Sequence, residues 1–180
     1  MALAVTAAFA VACGGDPERG TPSPGGSAAQ DTATGTTVPP APRPAELPLD
    51  TVQPCRLVAD DLRAAFAIDR PDQPSSAGPG TEVCTLLSST TGSYLVALER
   101  QAGIDRLERP VNTTVGGFPA VDIRQEGVRI GHLSIDVADG QRLDVEVQRL
   151  SGDQPVDLIH QDTLRFAEAV LASLRQQLGR

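Results

Sequence analysis

The 180-residue chain has no lysine and no tryptophan, and its aromatic side chains number four Phe and one Tyr. A hydrophobic core drawn from this alphabet is aliphatic, built of Leu, Val, Ile and Ala. All 15 basic residues are Arg, against 23 Asp and Glu, for a formal net charge of −8. An acidic chain without a basic stripe has no means of neutralising phosphates, which argues against nucleic acid as a partner. Metal ligands are as scarce: two His and three Cys offer no zinc site of the usual spacing. Long hydrophobic runs are missing too. The stretch "ALAVTAAFAVA" at 2–12 falls short of the roughly 20 residues a helix needs to cross a bilayer.

That run has the length of a signal-peptide core, and residues 1–12 are assigned to a signal peptide; no basic residue precedes the run, which a recorded start downstream of the real one would account for. Directly after it, "AVAC" at 10–13 resembles the lipobox of bacterial lipoproteins, with Ala10 where Leu is usual. On this reading Cys13 is lipidated and becomes the mature N-terminus, and two or more acyl chains there hold the protein on the extracytoplasmic face of the cell membrane. A plain secretory leader that happens to contain Cys13 is the alternative. Once Cys13 is consumed, Cys55 and Cys84 remain as a pair. In an oxidising compartment their disulfide closes a loop of about 30 residues, worth on the order of 3.5 kcal/mol in the chain-entropy model. Two buried free thiols are the competing reading.

Residues 13–49 read as a lipid-anchored disordered linker. From Gly14 to Leu49 the Pro, Gly, Ser and Thr content leaves too little apolar surface to offset ordering entropy. As a flexible chain the segment spans about 33 Å, stiffened toward polyproline II at "PPAPRP".

The remaining residues, 50–178, form the domain. "VADDLRAAFAI" at 58–68 reads as a short helix, "RPDQPSSAGPG" at 70–80 as an exposed loop, and 82–88 with 93–100 as a hairpin. In "QRLDVEVQR" and "GHLSIDV" apolar and polar residues alternate, giving strands with one dry and one wet face. Opposed residues share a face, so a three-residue loop of Ala138, Asp139 and Gly140, with Gly140 left-handed, sets Ile135 against Leu143. "QEG" at 125–127 takes the same form between "AVDIR" and "VRIGH". The chain closes on an amphipathic helix with Ile159, Phe166, Val170 and Leu174 in its apolar stripe and Asp157, Gln161, Arg165, Glu168 and Arg175 opposite. The fold class expected is α+β, an antiparallel sheet sandwiched by an N-terminal and a C-terminal helix.

This order of features resembles the actinobacterial lipoprotein family known as domain of unknown function 3558. The resemblance rests on "PCRL" at 54–57 leading into a helix, Cys84 opening a strand, "VGGFPAV" at 115–121, "VADGQRLDVEV" at 137–147 and the closing helix. It implies an exported, lipid-anchored envelope protein without an established activity, and a fold similar to Mog1 and PsbP-like proteins.

No catalytic set emerges from the residues. His132, Ser134 and Asp136 share a strand face, but same-face neighbours lie roughly 6.6 Å apart along a strand, too far for a tight relay, so a solvated face is expected. His160 is a boundary residue beside the helix stripe. "VGGFPA" lacks the spacing of a phosphate loop, and "NTT" at 112–114 is a formal glycosylation acceptor only. No enzyme, metal or cofactor is expected. Two functions remain: a membrane-tethered binding or scaffolding module for an envelope protein, with loops 70–81 and 101–117 as contact surfaces, and a carrier of a hydrophobic envelope ligand held between helix and sheet.

Overall fold

The computed structural model describes residues 42–107, 109–124, 129–150 and 155–180. The signal peptide, Cys13, the linker up to residue 41 and the "QEG" turn lie outside the described residues.

Alternation of dry and wet side chains produces the central hairpin, β6 (Ile130–Ala138) and β7 (Gln141–Arg149). Ile135 lies opposite Leu143 and Gly140 is left-handed at φ 66°, as the spacing requires, but the loop is Asp139 and Gly140 alone: Ala138 pairs with Gln141, and the extra residue is Val137, a bulge between the pairs at Asp136 and Ala138. On the other side of β6, β5 (Phe118–Ile123) pairs Ile123 with His132 and Ala120 with Ile135, which sends Phe118 and Ala120, both fully buried, to the dry face.

Around this hairpin stands one antiparallel sheet of seven strands, ordered β1-β2-β3-β7-β6-β5-β4. Strands β2 (Thr81–Ser88) and β3 (Gly92–Glu99) form the expected hairpin, and β4 (Thr113–Val115) closes one edge. The opposite edge corrects an expectation: residues 73–78, read as loop, form β1 (Gln73–Gly78). Its side chains are exposed on both faces, so no alternation marked it. Pairing with β2 makes it a strand, and Pro74 sits there because an edge tolerates a missing N–H.

One face of the sheet is the core. Cys84, Leu86, Val96, Leu98, Leu133, Leu143 and Val145 all have zero exposure there. The C-terminal helix α2 (Val156–Gln177) lies on it through Ile159, Phe166, Val170 and Leu174, joined by Thr163, a polar residue outside the apolar stripe. Gly131 makes the close approach possible, because a Cβ there would lie only 3.0 Å from the Cβ of Thr163.

The N-terminal helix is shorter than 58–68. A 3-10 turn at Pro54–Leu57 precedes α1 (Asp60–Ala65). The helix ends because Ala67 is left-handed at φ 52°; Ile68 N–H bonds Arg63 O at 2.9 Å and Ala67 N–H bonds Ala64 O at 3.3 Å, a Schellman cap. α1 shares the core face with α2, since the Phe66 ring packs on Phe166 at 5.0 Å and on Tyr94 at 5.6 Å. The helices therefore form one layer against the sheet.

The packed domain also begins before residue 50. Leu47 and Leu49 have zero exposure, Leu47 N–H bonds Val137 O at 2.8 Å, and Arg43 bonds both oxygens of Asp136 at 2.8 and 2.9 Å. Two leucines in a Pro-rich stretch carry no periodicity, which hid them from pattern reading. Among the described residues no helix is long and apolar enough to cross a membrane.

Candidate functional site

Cys55 and Cys84 are joined in a disulfide that ties the 3-10 turn to β2. This bond, the Arg63–Asp72 ion pair and the Phe66–Tyr94–Phe166 cluster, with Tyr94 and Phe166 5.0 Å apart, hold α1 beside α2. The two helices run antiparallel: Gln177 reaches Arg56 O at 2.7 Å at one end, and Phe66 meets Phe166 at the other.

Between them lies an open groove of about 580 Å³. Its floor is Leu62, Ala65 and Phe66 from α1 with Ala169, Ala172 and Ser173 from α2; Asp61, Arg165 and Glu168 stand on the rims. Small side chains at 169, 172 and 173 recur at helical spacing on one face of α2, and that recurrence is the sequence signal that could have located the groove.

Beyond Phe66 a smaller cleft of about 200 Å³ opens, lined by Thr91, Tyr94, Arg149 and Asp162 among others. Arg149 pairs with Asp162 and donates to the Tyr94 hydroxyl at 3.0 Å. Tyr94 in turn donates to Phe66 O at 3.2 Å, satisfying the end of α1. Burial pulls the Arg149 guanidinium down, but the Asp162 hydrogen bond and the charges around it raise it above its ordinary value. Across the helix His160 Nδ1 lies 3.4 Å from Asp122 Oδ1.

The sheet's second face holds the residues that share a strand on paper. Ser134 is fully buried and Asp144 nearly so, which corrects the expected solvated face at that position; the 3-10 turn at Ile104–Arg106 lies against β6. The Ser134 hydroxyl donates to Asp144, Arg142 Nε reaches the same carboxylate at 3.0 Å, and His132 Nε2 lies 3.9 Å away. Burial pushes the Asp144 carboxyl up, yet His132, Ser134 and Arg142 together hold it below its ordinary value. Asp136 points elsewhere, to Arg43. Ser134 thus faces a carboxylate inside the fold, an arrangement that fastens β6 to β7 and presents no nucleophile to solvent.

Cys55, Cys84 and Asp72 bring their donor atoms within 4.8 Å of one another, in a depression of about 570 Å³. The sulfurs are bonded to each other, so they are not thiolate ligands. The expected contact loops fare unevenly. Residues 73–78 are an exposed edge strand, whereas 101–117 contributes Val115, which is fully buried.

A family described as protein of unknown function (DUF3558) matches residues 8–172. No curated protein and no solved structure matches the chain.

Proposed function

The chain belongs to the DUF3558 family of proteins of unknown function, and from that premise we propose that it is an exported lipoprotein acting as a membrane-tethered binding module of the cell envelope. Cys13 carries the lipid, the Pro- and Gly-rich segment after it is the tether, and the domain works on the extracytoplasmic face, where the Cys55–Cys84 bond is stable. The lipobox-like "AVAC" and the disulfide support this address. The actinobacterial origin and the likeness to Mog1 and PsbP-like folds belong to the same proposal.

The observation that carries the binding role is the contrast between two interfaces. The layer between α2 and the sheet is filled by side chains of zero or near-zero exposure, which leaves the carrier reading without the internal space it needs. The α1–α2 groove is open, apolar along its floor and charged on its rims, as a protein-contact surface is. No catalysis, metal or cofactor is part of the proposal.

Two experiments test it. A Cys13→Ala variant is expected to leave the membrane fraction; retention there would overturn the anchor. A benzophenone amino acid at Ala172, illuminated in native envelopes, is expected to give a protein adduct, and its absence would overturn the groove as a contact surface.

A further inference from the structure

The floor of the groove suits a helix, because Ala169, Ala172 and Ser173 bring no bulk that would hold one away. The outer stripe of α2 along it runs Leu158, Asp162, Arg165, Ala169, Ala172, Gln176, with Asp162 and Ala169 half-buried and the rest exposed, alternating steps of four and three, the spacing at which two helices interlock. Leu158 is 45% exposed, one of three large exposed apolar side chains among the described residues. The rim charges select among helices. Arg165 is 69% exposed in its side chain and holds Asp162 only at 3.6 Å, while Glu168 is exposed and has no ion partner among the described residues.

We propose that the groove seats α2 of a second copy of this chain, the two helices antiparallel about a two-fold axis near residue 167. This rests on the groove being the contact surface proposed above. In that arrangement residue 165 of each copy faces residues 168 and 169 of the other, so each Arg165 meets the partner copy's Glu168, and a single charge pattern satisfies both halves. The same register lays Leu158 along the other copy's α2 near Gln176, covering an apolar side chain that is otherwise in water. A parallel pairing sets Arg165 against Arg165 and Glu168 against Glu168, which opposes like charges. Tethering both copies to one membrane raises their effective concentration, so a modest interface suffices.

The test uses the full chain in native envelopes, with the photoreactive residue at position 172. The expected adduct has twice the mass of one chain. Arg165→Glu and Glu168→Arg, each placing like charges together twice, are expected to reduce that adduct about tenfold, and the double variant R165E/E168R to restore it. Both positions are exposed on α2, and rescue by the double swap excludes misfolding as the cause. An adduct with a different protein overturns the second-copy assignment and leaves the binding role standing. No adduct at all overturns both, and a homodimer adduct indifferent to the charge swaps overturns the antiparallel register.

Discussion

Replacing Gly131 with Ala probes the closest approach between helix and sheet. The added methyl group would collide with Thr163 Oγ1, and it would sit 3.0 Å from Thr163 Cβ and 3.3 Å from Ile159 O. Rotating Thr163 moves Oγ1 away only by breaking its 2.7 Å bond to Ile159 O, and it leaves the 3.0 Å contact with Cβ in place. Relief requires α2 to shift away from β6, disturbing the buried contacts of Ile159, Phe166 and Val170. Overpacking of this kind costs about 1–3 kcal/mol, and removing a glycine from a strand returns about 0.5–1 kcal/mol. A net loss of about 1 kcal/mol is expected, which lowers the urea midpoint by about 0.5 M for a domain of this size. Urea titrations followed by far-UV circular dichroism and by the emission of Tyr94 measure it. Thr163→Ala removes the hydroxyl, so Gly131→Ala on that background is expected to cost at least about 1 kcal/mol less than on the wild type. Additive costs, or a neutral Gly131→Ala, would refute the claim that this contact sets the helix–sheet distance.

Other perturbations follow from the same geometry. Converting both Cys55 and Cys84 to Ala opens a loop with a sequence separation of 29 and is expected to cost about 3.5 kcal/mol; a urea midpoint within error of the wild type would show that the bond does not constrain the unfolded chain. Ala67→Gly removes a left-handed alanine at φ 52° and is expected to stabilise by about 0.5–1 kcal/mol, so a lower melting temperature would contradict the Schellman geometry. Asp144, held below its ordinary value by His132, Ser134 and Arg142, contributes stability that is present above the unfolded carboxyl value near 3.9 and lost as pH falls through the lower folded value. The cost of Asp144→Asn is therefore expected to be largest above about pH 5 and to shrink below about pH 4; a cost that grows with acid would refute that sign.

Much of the architecture was legible where residues alternate. Leu143, Val145 and Val147 against Arg142, Asp144 and Glu146 marked β7 without any partner, and the parity of the dry positions dictated how Ile135 meets Leu143. The α2 stripe was equally plain, though it omitted Thr163, whose hydroxyl is satisfied by its own helix and so tolerates burial. β1 was invisible because an edge strand wet on both faces carries no pattern. The groove was missed for a related reason: Ala169 and Ala172 read as neutral filler until α1 is placed beside them.

The sequence by itself determined the periodic elements and pointed to Cys55 and Cys84 as partners, because alternation, helical spacing and an odd count of thiols are properties of the chain alone. Tertiary structure decided what those elements face. Ser134 and Asp136 share a strand face, yet one is buried against Asp144 and the other is held by Arg43, residues 10 and 93 positions away. Which charges pair, and what each polar side chain is buried against, arise from contacts distant in the chain, and local pattern carries no record of them.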